Sequence, residues 1–313
     1  MFARTLAGTL EWPWTRRLWV AFLILPPFAF MATFVAYPIM SALAFAFYDW
    51  QGLQRGAFVG VRNFVDVLAN APYAENTWRA FRHNAVVFLV LLLVQNGVGF
   101  LLAYALAKDP RGYKFHRVAV FLPVILSSVI VALLWKQFLH PNFGLVNKLL
   151  GTMGLSAWAK PWLGLDETAL IAIILVNAWH WIGFPTLVFL AGIQRIPPET
   201  IEAARIDGAS EWQMMRLIIW PLVAPSMTVT FVLLFIGAFN WFELPYLMAG
   251  IEGSPYQSTD VLGLLFYRTA FGTQSTPVQD FGHGSALAAI MFLFVATVSA
   301  AATLWLRKRE LLL

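Results

Sequence analysis

Two scarcities set the class of this chain: its 313 residues contain no cysteine, and only 12% of them are Asp, Glu, Lys or Arg. Without cysteine there is no disulfide, no thiol nucleophile and no thiolate metal site, so any chemistry rests on other side chains. Against 60% hydrophobic residues, so little charge cannot clothe a water-soluble globule, and a bilayer is the solvent that this composition fits. A phosphate-binding loop of the form G-x4-G-K-S/T is also missing, which removes that route to ATP binding. No internal repeat of about 20–50 residues is visible. The formal charge of +5 sits in short clusters between apolar runs rather than along one face, which argues against nucleic acid as a partner.

What is present is a set of six apolar stretches, at about 19–46, 84–106, 117–138, 168–193, 223–249 and 285–306, each able to cross roughly 30 Å of hydrocarbon. Backbone groups in lipid must be paired within the chain, so all six are expected as helices of an all-α polytopic membrane protein. Pro26, Pro27, Pro38, Pro123, Gly183 and Pro185 are expected to mark kinks or discontinuities, and Trp19, Trp50, Trp135 and Trp305 to sit at headgroup boundaries. The N terminus, the 107–117 and 194–222 loops and the tail carry thirteen Lys and Arg, against seven on the opposite loops. The positive-inside rule therefore places both termini in the cytoplasm. The apolar run before Ala44-Phe45-Ala46 is far longer than the core of a signal peptide, so the first span is expected to be retained. The resulting division is a cytoplasmic segment 1–18, a membrane domain 19–306 and a cytoplasmic tail 307–313. The external stretches at about 47–83 and 139–167 are expected to hold short surface helices, one of them over Tyr73 to Phe81, and no chemistry.

The most informative segment is the loop between spans 4 and 5, 195–221. Pro197 and Pro198 suit a helix start, and Glu199 and Glu202 fall near its positive end. Asp207-Gly208 provides a residue that can turn with positive φ. Ser210 with Gln213 matches a capping box for a second helix, which Pro221 must stop or bend. A first helix of about two turns is too short to stand alone in water. It needs a partner surface, which Ala203 and Ala204 would allow to come close.

Glu202-Ala203-Ala204, Gly208 four residues later and Ile218 ten beyond that resemble the EAA loop of bacterial ATP-binding-cassette importer permeases, E-A-A-x3-G-x9-I-x-L-P. The final leucine of that pattern is Trp220 here. Leu25-Pro26, Tyr37-Pro38, Asp49-Trp50, Phe58-Val59-Gly60, Asn63-Phe64 and Asn84 are similar to the carbohydrate branch of these permeases, the maltose-type first subunit, as are Arg205 to Ser210 and Tyr267 to Phe271. The resemblance implies a coupling helix seated in a cleft of a cytoplasmic ATPase, with Glu202, Ala203, Ala204, Asp207 and Gly208 transmitting force. It also implies a second permease subunit, two ATPase subunits that bind the ATP and Mg, an extracytoplasmic solute-binding protein, and no cofactor in this chain.

Polar groups inside the spans are sparse. An acid there costs roughly 3 kcal/mol on insertion scales and should face a cavity or partner, which singles out Glu243. Its neighbours Asn240 and Phe239 offer an amide and an apolar ring face for a sugar, as does Trp241. Matching to the maltose-type permease adds Trp181, Gly183 and Thr186 to the expected pathway. His180 and Lys136 are expected to be structural, since a lone histidine lacks further metal ligands and a lysine near a span end can snorkel. A polyol or glycerol phosphate importer, and a secondary transporter, remain alternatives; the latter would need ion-coupling acids beyond Glu243. An intramembrane enzyme would need paired catalytic groups within a span.

Overall fold

The computed structural model describes residues 13–273 and 277–310, and they are mostly helical. The termini expected in the cytoplasm, with Arg4 among their basic residues, lie largely outside the described residues. Three helices are individually long and apolar enough to cross a membrane: Arg17–Phe45, Tyr73–Ala107 and Phe281–Lys308. Three further pairs pass the same test together but are bent, Tyr113–Ile125 with Ser128–Phe138 by 101°, Asp166–Trp181 with Gly183–Ile193 by 44°, and Glu211–Leu222 with Ala224–Phe239 by 72°.

Each bend has a local cause. At the first, Pro123 sits in a tight turn and Ser127 caps the next helix, accepting from the Ile130 amide at 3.4 Å. At the second, Pro185 cannot donate to the Trp181 carbonyl. At the third, Pro225 likewise lacks the amide that would continue the ladder back to Pro221.

The fifth apolar stretch departs from the expectation of one continuous span over 223–249. Its helix ends at Phe239, residues 240–242 are irregular, and a short helix Glu243–Ala249 follows. Pro245, third in that short helix, has no amide for the Trp241 carbonyl, which favours a break just upstream. The Asn240 side chain closes the first piece by donating to the Ile236 carbonyl at 2.9 Å. The second stretch is longer than expected. Tyr73–Leu91 is one helix, in which Ala74, Thr77, Ala80, Asn84 and Val87 form a buried stripe, so the segment expected as a separate surface helix is the start of the span.

The purely helical expectation also needs one correction. Tyr48–Gln51 and Gln54–Phe58 form a small antiparallel hairpin, with Gly52 at φ +61° in its turn. Asn63 locks the hairpin to the helix Arg62–Ala69 by donating to the Ala46 and Tyr48 carbonyls, both at 2.9 Å. Alternation there is too short for a periodicity argument to detect.

Buried apolar side chains form three clusters along the bundle, around Ile173 and Ile174, around Phe100 and Phe189, and around Phe235 and Phe239. Asn84, fully buried, ties two elements by donating to the Ala238 carbonyl at 2.6 Å and accepting from the Leu262 amide at 2.8 Å. At the bundle end carrying the hairpin, Arg268 holds buried Asp260 through two hydrogen bonds of 3.2 and 2.7 Å. The first helix meets this core only near its end, where Tyr37–Phe45 packs against Phe281–Glu310, while Phe22, Leu23, Phe30 and Phe34 are all exposed. A helix that is apolar all round and unburied by its own chain is built for lipid or another subunit.

Candidate functional site

Two sites carry the expected functional residues, a loop helix at one end of the bundle and a cavity within it. The loop helix Pro198–Ile206 begins with Pro197 at its cap and Pro198 in its first turn. It ends in a Schellman turn: the Ala209 amide donates to Ala204 at 3.0 Å and the Gly208 amide to Arg205 at 3.1 Å. Gly208 has φ +81°, and a β-carbon there would meet nothing within 4 Å, so backbone conformation rather than space calls for glycine. Ser210 and Gln213 make the reciprocal capping box that opens the second helix.

The two alanines face opposite ways. Ala204 is buried, packed with Met214, Met215, Phe189 and Phe100, while Ile201 and Ala209 border the same cluster. Glu202, Ala203, Asp207 and Gly208 are exposed. Ala204 thus fastens the helix to the bundle, and the other four form a free surface. Beside it, Glu211 accepts from Lys108 at 2.6 Å and from the Tyr104 hydroxyl. The Lys108 ammonium lies 4.3 Å from the Tyr104 ring centre, and the carboxylate beside it holds this ammonium above its usual range. This contact links the second helix of the loop to the end of Gly97–Ala107.

The cavity, about 500 Å³, is lined by four of the named side chains: Trp181, Asn240, Trp241 and Glu243. Trp181 comes from the end of the helix Asp166–Trp181, and the other three from the break at 240–242, where Asn240 is exposed and a new helix starts with Glu243. The Glu243 carboxylate accepts from the Ser128 hydroxyl at 2.9 Å. Trp241 is buried and donates its indole N–H to Asn177 at 3.1 Å. Gln95 and Asn96 also line the cavity, from a π-helical turn Leu92–Asn96, a geometry that recurs at functional sites. The Gln95 Oε1 atom is buried and accepts no hydrogen bond, in a residue that lines the cavity.

The other expected pathway residues are placed in packing rather than on this wall. Gly183 lets two helices touch, because a β-carbon there would fall 2.7 Å from the Val120 carbonyl oxygen. Thr186 is buried and donates to the Ile182 carbonyl at 2.8 Å. Phe239 packs against Phe81, Phe235 and Phe294. His180, expected to be structural, does line the cavity, with its Nε2 3.0 Å from the Leu126 carbonyl. Lys136 lies 3.5 Å from the Leu247 carbonyl. Sequence reasoning missed Gln95, Asn96, Ser128 and Asn177. The adjacent amides Gln95-Asn96 within an apolar span were the available signal.

Residues 95–310 match the family described as binding-protein-dependent transport system inner membrane component. The chain is 28% identical to the probable starch degradation products transport system permease protein of Thermoanaerobacterium thermosulfurigenes, covering 94% of this chain and 95% of that one. It is 30% identical to the trehalose/maltose transport system permease protein of Thermococcus litoralis, covering 87% and 88%. It is 31% identical to the diacetylchitobiose uptake system permease protein of Streptomyces coelicolor, covering 87% and 78%. Among solved structures, a bacterial transporter involved in import of the acidic polysaccharide alginate superposes with a TM-score of 0.75 at 26% identity, over 98% of each chain. The alginate transporter in complex with an alginate pentasaccharide-bound periplasmic protein superposes with a TM-score of 0.78 at 26% identity, over 96% and 98%. With the match spanning most of its length and the fold shared end to end, the chain belongs to the binding-protein-dependent transport system inner membrane component family.

Proposed function

We propose that this chain is one translocation subunit of an ATP-driven carbohydrate importer, with no catalytic step of its own. Each bent helix pair counts as one span, giving six, with both termini and the loop helix on the cytoplasmic side. A second permease of the same family completes the pathway. Two ATPase subunits bind ATP and Mg, and an extracytoplasmic binding protein delivers the sugar. The surrounding lipid contacts the first helix.

The observation that carries this reading is the two-sided loop helix. Ala204 anchors it in the Phe100–Phe189 cluster, while Glu202, Ala203, Asp207 and Gly208 form an outward surface at one end of the bundle. A rigid element held on one side and free on the other can convert closure of an ATPase into rearrangement of the helices to which it is fixed. The sugar reading is supported by the cavity's amides and indoles, which suit hydroxyl groups and the apolar face of a pyranose ring, and by the sugar transporters among the relatives.

The chain's lack of cysteine makes the test clean. An Ala203→Cys variant should form a disulfide or short bis-maleimide link to a cysteine placed in the ATPase cleft, in membranes that retain uptake. An Ala204→Cys variant, facing inward, should not. Equal linking by both, or by neither, contradicts the coupling role.

A further inference from the structure

The cavity's charges are one-sided. Among its lining residues stand Glu243, which carries a carboxylate, and no lysine or arginine. The one other lining side chain able to take up a proton, His180, is buried and directs its Nε2 at the Leu126 carbonyl. Glu243 is exposed towards the cavity, and its recorded side-chain partner is the uncharged Ser128 hydroxyl at 2.9 Å. The remaining polar groups include the amides of Gln95, Asn96, Asn177 and Asn240 and the Thr230 hydroxyl, which donates to the Met227 carbonyl at 3.1 Å. Amides and hydroxyls exchange hydrogen bonds with sugar hydroxyls and do not neutralise an anion.

We propose that Glu243 sets the charge class of the cargo, so that this subunit passes neutral or amine-bearing sugars and rejects uronate-type acidic ones. The proposal rests on the cavity being the sugar pathway. A carboxylate inside a membrane protein is screened far less than one in bulk water, so its field acts on any ion that shares the cavity. A uronate entering it would meet like charge, with no lysine or arginine among the described lining residues. A glucosamine would meet a counter-ion. The charge class thus separates this chain from its alginate-importing structural relatives despite the shared fold.

The test reads the cavity's potential directly and needs no knowledge of the sugar. Gly237 lines the cavity, and a β-carbon there meets nothing within 4 Å, so Gly237→Cys is a reporter that fits the native packing. Leu233→Cys, also on the wall, is a second reporter should the first disturb folding. The assembled transporter is treated at a pH above the usual imidazole range with two methanethiosulfonates, one cationic with a trimethylammonium group and one anionic with a sulfonate.

The cationic-to-anionic rate ratio, normalised to a free thiol, should exceed one by roughly tenfold or more, as expected for a unit charge a few ångströms away at intermediate dielectric. Glu243→Gln should return the ratio to within about twofold of the free thiol, since only the charge is removed. A ratio unaffected by Glu243→Gln, or one favouring the anion, overturns the charge assignment while leaving the pathway intact. Protection of either reporter by a uronate trisaccharide overturns it too. If neither reagent reaches either cysteine, the cavity is closed to aqueous solutes, and the pathway reading falls along with the proposal.

Discussion

Asn240 shows how a single side chain serves both fold and site. Its amide nitrogen ends the helix Ala224–Phe239 by donating to Ile236 at 2.9 Å, and the residue lines the cavity. Asn240→Ala is expected to raise the sugar concentration for half-maximal ATPase stimulation several-fold while the complex still assembles; an unchanged dose response removes Asn240 from the pathway. Gly208 is a second such position. At φ +81° a β-branched residue costs about 1–2 kcal/mol, so Gly208→Val should loosen the Schellman turn and abolish most uptake without removing the protein from the membrane. Immunoblotting of membranes alongside uptake separates the two effects. Asn240 and Glu243 were legible because polar groups inside apolar spans demand a partner. Gly183 and Thr186, taken from the match to the maltose-type permease, and Phe239, taken for its ring face, carry no such signal, since a small, a hydroxyl and an aromatic residue can equally serve close helix packing, hydrogen bonds to their own helix, or a ring cluster.

At the scale of elements, the loop was the most legible part of the chain. Its proline start, its glycine turn and its capping box are short-range signals, and each appears where the residues place it. Which alanine faces inward depended on tertiary packing and was not legible. The exposed Glu202 belongs to the outward surface, so Glu202→Lys should uncouple ATP hydrolysis from uptake with little effect on thermal stability, as measured by nucleotide turnover and transport in the same proteoliposomes. The Lys108–Glu211 contact makes a different prediction. It spans two elements, so Lys108→Glu and Glu211→Lys should each lower the transport yield per ATP, and the double swap should restore part of it. Failure of the swap to recover any coupling would leave the contact as surface decoration. Lys108 is raised by its carboxylate neighbour and Glu211 lowered by the ammonium, so the pair's contribution is present between the ordinary carboxylate and lysine ranges and is lost as pH rises through the raised lysine value or falls through the lowered carboxylate value. Uptake should therefore show no step from this pair around neutrality. The hairpin Tyr48–Gln51 with Gln54–Phe58 and the break at 240–242 were not legible, the first for want of length and the second because hydropathy averages over a three-residue interruption.

For the whole molecule, composition alone placed the chain in a bilayer, and the described residues hold three helices long and apolar enough to cross one, or up to six spans if each bent pair counts as one. What composition left open was how much of this chain's apolar surface its own fold would cover. The first helix presents an exposed apolar surface along most of its length, which fits the assembly proposed above. Its central claim is that transport energy comes from a separate ATPase gripping the loop helix. Purification of the tagged chain from native membranes in mild detergent, followed by mass spectrometry of what remains bound, tests this most directly. The account predicts recovery of a second permease of the same family and an ATPase bearing a phosphate-binding loop. Recovery of the chain without any ATPase, even after cross-linking through Ala203→Cys, would contradict it.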